Sequence, residues 1–191
     1  RMANTEHHLE TRSMLPDALR VLLEEYPRDG WAQDPGFEGL LRFWLDRHLM
    51  FRKIIGTMLS DTEKLLDGNM SAKFYRAHLS RYGGMFVQEL HGHHTIEDQH
   101  YFPKLIELDA RISRGFDILD KDHHAIDGHL NTFVENANMV LQTPDAKDKI
   151  MPATEKFYTQ LAGLERLLNR HLIDEEELVV PVVLKYGAPD M

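Results

Sequence analysis

Two short segments that share one pattern constrain this chain more than any other feature of its sequence. Each has a histidine, a glutamate four residues later and a proline six residues after the glutamate: His93, Glu97 and Pro103 in the first, and His171, Glu175 and Pro181 in the second. A histidine and a glutamate four residues apart lie on one face of an α-helix, one turn apart. Two such helices that face each other would direct two imidazoles and two carboxylates to one point. The repeated pattern therefore predicts a metal site between helices.

Hydrophobic spacing predicts an all-α fold. Apolar residues recur at helical intervals in four long segments, which we expect to be helices at about residues 34–66, 72–107, 113 (or 117)–141 and 145–185. A shorter amphipathic helix is expected at about residues 13–26, and the polar segment before it, residues 2–12, is expected to fray. No segment has the alternating pattern of a β-strand. Long helices joined by short links are typical of an antiparallel up-down four-helix bundle. We predict this bundle for residues 34–187, with residues 1–33 as an N-terminal tail and short helix.

Local signals indicate where some of these helices begin, bend or end. Asp34-Pro35 combines a favourable N-cap with a proline at the first helical position, which predicts a helix start. Pro103 has no backbone N–H, so it predicts a bend or the end of the regular helix. The pair Gly83-Gly84 costs about 1 kcal/mol per glycine relative to alanine. It predicts a kink or a close crossing of two helices.

Each of the four predicted long helices places one histidine on its apolar face: His48, His93, His123 and His171. An acidic residue follows one turn after three of them: Glu97, Asp127 and Glu175. One such histidine alone is most simply a core residue bonded to a backbone carbonyl. Several buried carboxylates without partners would cost several kcal/mol each. Bound cations remove that cost, so the recurrence on four helices predicts a metal site built from these seven residues.

Composition narrows the chemistry of the predicted site. Twelve histidines and no cysteines favour imidazole–carboxylate ligation of iron, manganese or zinc, and they exclude disulfides and thiolate sites. The formal net charge of −9 argues against non-specific binding of nucleic acid. No apolar run reaches the ~20 residues of a membrane span, and the N-terminus lacks a signal-peptide pattern. We therefore expect a cytoplasmic protein that binds neither nucleic acid nor membrane.

These segments resemble the hemerythrin-like, His-His-Glu cation-binding family. The resemblance covers about residues 38–186; it is strongest in the two His-x-x-x-Glu…Pro segments and weaker around His48 and Asp122-His123. It implies a hemerythrin-like four-helix bundle with a non-haem di-iron centre. The implied terminal ligands are His48, His93, His123 and His171, and the implied bridging ligands are Glu97 and Glu175. Two oxo- or hydroxo-bridged iron ions are the expected cofactors, with zinc or manganese as alternatives.

The third and fourth helices depart from those of oxygen-carrying hemerythrins, which carry His-x-x-x-His and His-x-x-x-x-Asp. Here Asp127 stands four residues after His123 on the third helix, and Glu175 stands four residues after His171 on the fourth. One imidazole is therefore missing, which argues against simple reversible O₂ carriage. The candidates for a seventh ligand are Asp127, His124 and His129, of which the four-residue spacing favours Asp127.

Further polar residues flank the repeated pattern. His100 lies seven residues after His93, on the same helix face. It is a group behind the ligands, an outer ligand that completes the site, or a partly buried core histidine. His91 and His94 fall off the apolar face and are expected to point to solvent. A solvated acidic face is expected for the neighbours of the predicted ligands: Asp98, Asp174, Glu176 and Glu177.

The expected function is to bind or sense a small diatomic ligand, O₂ or NO, or to buffer iron. One alternative is a di-iron oxidoreductase that acts on peroxide or NO, so whether the protein is an enzyme stays open. A stress or iron–sulfur repair protein is a weaker alternative, because repair proteins of the family carry an additional cysteine-bearing region. A regulatory module and a zinc site without redox chemistry are further alternatives. The chain is expected to be a monomer or a homodimer, with the helix at 13–26 either capping the bundle or packing on a partner subunit.

Overall fold

The computed structural model describes residues 7–190, and all regular secondary structure within them is helical. The helices are α1 (Val21–Glu25), α2 (Leu40–Leu66), α3 (Ala72–Ile96), α4 (Phe102–Leu105), α5 (Ser113–Gln142) and α6 (Lys147–Tyr186). A π-helical turn, Glu97–Tyr101, joins α3 to α4, and 3₁₀ turns cover Asp17–Leu19, Arg28–Gln33 and Ala110–Ile112. The all-α prediction is confirmed. The antiparallel bundle topology and the domain boundary between residues 33 and 34 stay predictions.

The first long helix begins later than the sequence predicts. The Asp34 carboxylate accepts a hydrogen bond from the Gly36 backbone N–H at 2.8 Å, which closes a local turn in place of a helix cap. Helix α2 then starts at Leu40, directly after Gly39, whose φ of +60° is a conformation that glycine adopts without steric cost. The predicted start at Asp34-Pro35 is therefore wrong, because an aspartate that can cap a helix can also form a turn.

The segment before α2 is more ordered than predicted. Leu9 and Arg12 are buried, so the prediction that residues 2–12 fray is wrong at both positions. Residues 1–6 lie outside the described part of the chain. The helix predicted at 13–26 is divided into the 3₁₀ turn Asp17–Leu19 and helix α1. Its leucines still join the hydrophobic core, as their spacing predicts: Leu15, Leu19 and Leu22.

The chain forms two compact units. Among the described residues, the first comprises 7–49, 93–125 and 168–190. Its hydrophobic core draws on the N-terminal segment and on the adjoining parts of the long helices; its largest side chains are Trp31, Trp44, Phe102 and Phe116. The four histidines predicted on apolar helix faces all belong to this unit.

The second unit comprises residues 50–92 and 126–167. Three aromatic rings form its centre: Phe133 lies 5.8 Å from Phe86 and 5.7 Å from Phe157, between ring centroids. Helix α3 continues through Gly83-Gly84, and a Cβ built on Gly83 would lie 3.5 Å from the Phe133 ring. The pair therefore marks a close approach within this unit and not an interruption of the helix.

The π-helical turn ends the regular part of α3 before Pro103, as predicted. The backbone N–H of Phe102 donates to the carbonyl of Glu97, five residues earlier. The additional residue in this turn rotates the following side chains about the helix axis, so His100 is exposed and does not share the buried face of His93. Among residues 7–190, none of the helices combines the length and apolarity that crossing a membrane requires.

Candidate metal centre

Two groups of histidine and glutamate side chains lie inside the first unit. Within each group, one nitrogen or oxygen of every residue lies within 4.8 Å of the others. The members of the first group are His48, His93, Glu97 and Glu175, and those of the second are His94, His123 and His171. All seven side chains are buried, with at most 7% of the residue surface exposed. The structure thus brings together six of the seven residues that the sequence predicts, and it adds His94.

The first group pairs two imidazoles with two carboxylates. The Nε2 atoms of His48 and His93 lie 3.1 Å apart. Two imidazoles at right angles on one cation would place their nitrogens about 3.0 Å apart, given metal–nitrogen bonds of about 2.1 Å. Glu97 Oε2 lies 3.2 Å from His93 Nε2, and Glu175 Oε1 lies 3.4 Å from His48 Nε2. The four donor atoms therefore converge on one position.

The second group contains three imidazoles. His171 Nε2 lies 2.7 Å from Glu175 Oε2, and His123 Nε2 lies 3.4 Å from Glu97 Oε1. The ring of His94 stacks on that of His123, with centroids 3.9 Å apart and planes at 14°. The same two glutamates therefore approach this group as well.

Each glutamate divides its two oxygens between the groups. Glu97 directs Oε2 to His93 and Oε1 to His123. Glu175 directs Oε1 to His48 and Oε2 to His171. A carboxylate with this placement can bind two neighbouring cations at once, one through each oxygen.

Several of these buried atoms have no hydrogen bond within the part of the chain that the structure describes: Glu97 Oε1, His123 Nε2, His171 Nε2, both nitrogens of His94 and both oxygens of Glu175. His171 Nε2 and Glu175 Oε2 are only 2.7 Å apart, yet they are not aligned to share a hydrogen bond. Each buried polar atom without a partner costs about 1–3 kcal/mol. Converging, unpaired nitrogens and oxygens fit bound cations, and imidazole with carboxylate suits iron, manganese or zinc.

Carboxylates behind three of the imidazoles fix their orientation. The Nδ1–H groups donate to Glu176 from His48 at 2.7 Å, to Asp98 from His123 at 2.7 Å, and to Asp122 from His171 at 2.9 Å. Donation from Nδ1 leaves the Nε2 lone pair free for a metal. Each of these carboxylates belongs to a residue next to a clustered residue in the sequence, which is the signal that could have identified them.

The prediction of a solvated acidic face is wrong at most of its positions. Glu176 and Asp174 are buried, and Asp98 is partly buried against His123. They are covered because neighbouring helices and the N-terminal segment pack beside the ligand face, which the spacing of one helix does not reveal. Glu177 is also only partly exposed.

Aromatic side chains form dry walls around the groups. The Trp44 indole N–H donates to Glu97 Oε2 at 2.9 Å, and the Trp44 ring lies 4.1 Å from that of His48. Phe102 stacks beside His123 with centroids 5.6 Å apart. Trp44 thus holds one oxygen of a shared carboxylate while its ring excludes water.

The prediction that His94 faces solvent is wrong. Its ring is buried between His123 and His171, with centroid distances of 3.9 and 5.4 Å. Helix α3 buries a wide face at its C-terminal end, because residues of both α5 and α6 pack against it. Consecutive residues such as His93 and His94 can therefore both point inward.

The residues proposed from sequence for a seventh position lie elsewhere. Asp127, the favoured candidate, is exposed, and neither group includes it. The buried face of α5 continues from His123 through Ile126 and Leu130, three and seven residues on, so Asp127 points outward. The assignment of Asp127 as a ligand is therefore withdrawn. The remaining candidates also lie outside both groups: His100, His124 and His129.

When no cation is bound, protonated imidazoles balance the negative charge of the buried carboxylates. Burial lowers the pKa of His48, but the hydrogen bond to Glu176 and the nearby carboxylate of Glu175 outweigh this effect and raise the pKa to about 9. Burial likewise lowers the pKa of His123, while contacts with three carboxylates raise it to about 12. Burial and two neighbouring imidazoles lower the pKa of His94 well below its ordinary value. His94 is thus neutral and keeps a lone pair, whereas the other two must release a proton to bind a cation.

We expect the metal-free protein to lose stability as the pH rises from 6.5 to about 9. A group whose pKa is raised by folding stabilises the fold fully below its ordinary pKa, and this contribution disappears as the pH passes the raised value. His48 and His123 both contribute to this loss, and because the pKa of His123 is raised to about 12, its share continues to disappear above pH 9. The lowered pKa of His94 has its effect below pH 6.5. Urea unfolding across the window measures the effect, and the metal-loaded protein should show a smaller change. Metal-free stability that increased with pH would contradict the assigned proton.

The family model of the Hemerythrin HHE cation binding domain matches residues 39–183. This range is well over half of the chain and includes all seven clustered residues. No curated protein and no solved structure matches the chain significantly. The predicted resemblance is therefore confirmed at the level of the family. With its clustered histidine and glutamate side chains and this match, the chain belongs to the hemerythrin HHE cation-binding domain family.

Proposed function

We propose that the chain binds two cations, iron in the cell, and that the resulting centre binds a small diatomic ligand, O₂ or NO. The observation that carries this proposal is the division of carboxylate oxygens between the two groups. Glu97 and Glu175 each reach both groups, so a mononuclear site at the first group would leave Glu97 Oε1 and Glu175 Oε2 buried without a partner. Two bridged cations satisfy all four oxygens.

The two cation positions differ in the number of imidazoles that the protein supplies. His48 and His93 serve one position, and three histidines serve the other, while both carboxylates are shared. The position with two imidazoles has fewer protein donors and so has room for an exogenous ligand. When bound, an iron pair would supply an open coordination position and the electrons that reversible binding of a diatomic ligand requires.

His94 removes the main objection to this function. Without it, the chain has one imidazole fewer than the oxygen-carrying hemerythrins that the sequence resembles. With His94 the two groups contain five imidazoles and two carboxylates. The donor count therefore supports binding of a diatomic ligand.

The surroundings favour retention of the cations over their exchange. The clustered side chains are buried, and Trp44 and Phe102 exclude water from two sides. Buffering of iron requires metal that enters and leaves readily. The buried position of these ligands argues against that alternative.

Metal analysis of the purified protein, together with an absorption spectrum in air, tests the proposal. We expect about two irons per chain and a near-ultraviolet charge-transfer band that changes reversibly when oxygen is removed or NO is added. One iron per chain would contradict the bridged pair. Two zinc ions without such a band would contradict the proposed ligand chemistry.

A further inference from the structure

Arg12, from the N-terminal segment (residues 7–33), reaches behind the three-imidazole group. Its side chain is 1% exposed. It donates to both oxygens of Asp122, at 3.0 and 2.5 Å, and through Nε to Asp174 at 2.8 Å. Asp122 in turn accepts the hydrogen bond from His171 Nδ1 at 2.9 Å. A continuous chain of contacts therefore connects this arginine to one imidazole of the site.

Arg28, from the same segment, reaches behind the two-imidazole group. It donates to Glu176 Oε1 at 3.2 Å, and the other oxygen of Glu176 accepts from His48 Nδ1 at 2.7 Å. The guanidinium also lies 4.5 Å above the Trp31 ring, which fixes its direction. Unlike Arg12, Arg28 has a side chain that is 45% exposed.

The two contact chains end at different cation positions. Arg12 acts on His171 through Asp122, and Arg28 acts on His48 through Glu176. Both arginines precede residue 39, where the family match begins. The N-terminal segment thus places one positive charge behind each half of the centre, from outside the matched domain.

The physical effect of such a charge has a definite sign. A carboxylate that accepts a hydrogen bond from an imidazole increases the electron density of that imidazole and favours the oxidised state of a bound metal. A guanidinium on the carboxylate withdraws part of that charge and holds the carboxylate in place. Its removal leaves more negative charge beside the metal.

We propose, on the basis of the two-cation function above, that the N-terminal segment is a working part of the metal centre. Arg12 and Arg28 are positioning residues that neutralise the carboxylates behind His171 and His48. Each arginine raises the reduction potential of the iron at its own position. The effect of Arg12 is the larger, because its charge is buried and that of Arg28 is partly screened by water.

The test compares Arg12→Met, Arg12→Lys and Arg28→Met with a matched control, Arg20→Met, in the iron-loaded full chain. Arg20 belongs to the same segment, and it faces Glu177 at 4.0 Å. Glu177 also lies 3.7 Å from Arg28, but it is not one of the carboxylates that accept a hydrogen bond from His48 or His171. Iron content, the midpoint potential and the ⁵⁷Fe Mössbauer spectrum are measured for each variant.

We expect both methionine variants to keep two irons and to have lower midpoint potentials, with the larger decrease in Arg12→Met. Each should change the Mössbauer signal of one iron only, and a different one. Arg12→Lys should restore most of the potential because it keeps the charge, and Arg20→Met should match the wild type.

Three outcomes would overturn the inference while the two-cation proposal stands. These are unchanged potentials in both methionine variants, equal changes at both irons, and no recovery in Arg12→Lys, which would indicate a structural role alone. If Arg12→Met does not fold, Arg28→Met and Arg12→Lys decide the question. A wild-type chain without two irons would refute the proposed function itself, and this inference with it.

Discussion

Replacement of Glu175 by glutamine is expected to reduce the metal content from about two cations per chain to one or none. Glutamine keeps the size of the side chain but loses the charge and one of the two donor oxygens. Glu175 is fully buried and faces His48 through one oxygen and His171 through the other, so both positions are affected. The loss of affinity should exceed the 10–100-fold that is typical when a residue behind a ligand is changed (about 100-fold or more).

The same substitution should also destabilise the metal-free protein. Its buried protonated imidazoles would lose an anionic partner, and breaking a buried charge pair costs about 3–5 kcal/mol. Metal analysis after dialysis and urea unfolding measure the two effects. Glu177→Gln is the matched control, because Glu177 lies two residues further along α6 and belongs to neither group. A Glu175→Gln protein that retained two tightly bound cations would contradict the bridging role.

Replacement of His94 by alanine is expected to remove one cation per chain, at the three-imidazole position, and to leave the other in place. Both His94 nitrogens lack a hydrogen bond among the described residues, so the change breaks none that the structure shows. The affinity of that position should fall by at least about tenfold, the lower end of the range for residues behind a ligand. Titration with metal and a competing chelator measures each position.

His100→Ala serves as the control for His94→Ala, because His100 is exposed and follows shortly after it in the chain. This control should keep both cations and the wild-type affinity. If His94→Ala also kept both at unchanged affinity, His94 would be a buried core histidine. The assignment of a cation position with three imidazole ligands would then be wrong. The bridging role of Glu175 would not be affected.

The ligand pairs on one helix were predictable from the sequence because their geometry is local. A four-residue interval places His93 and Glu97, or His171 and Glu175, on one helix face whatever surrounds them. One histidine on each apolar face then indicates which faces meet. The six residues found by this reasoning do come together.

The rest of the centre depends on which neighbours cover a helix, and spacing along one helix carries no such information. His94 is buried because two other helices pack beside α3, and Asp127 is exposed because the buried face of α5 passes through Ile126. Arg12 is distant in sequence from both aspartates that it binds, and no local pattern relates them. Aspartate can either close a turn or cap a helix, so the residue type of Asp34 does not determine which of the two it does.

The π-helical turn at Glu97–Tyr101 divides one helical segment into two rotational frames. Residues up to Glu97 follow the phase that aims His93, His94 and Glu97 inward. From Phe102 onward the phase is reset, and it is this second frame that brings the Phe102 ring against His123. The ligand residues of α3 and the Phe102 ring therefore have separate helical registers, and either can be shifted without the other. Deletion of one residue of the turn would rotate the direction of the Phe102 side chain by about 100° about the helix axis, while His93, His94 and Glu97 kept their places.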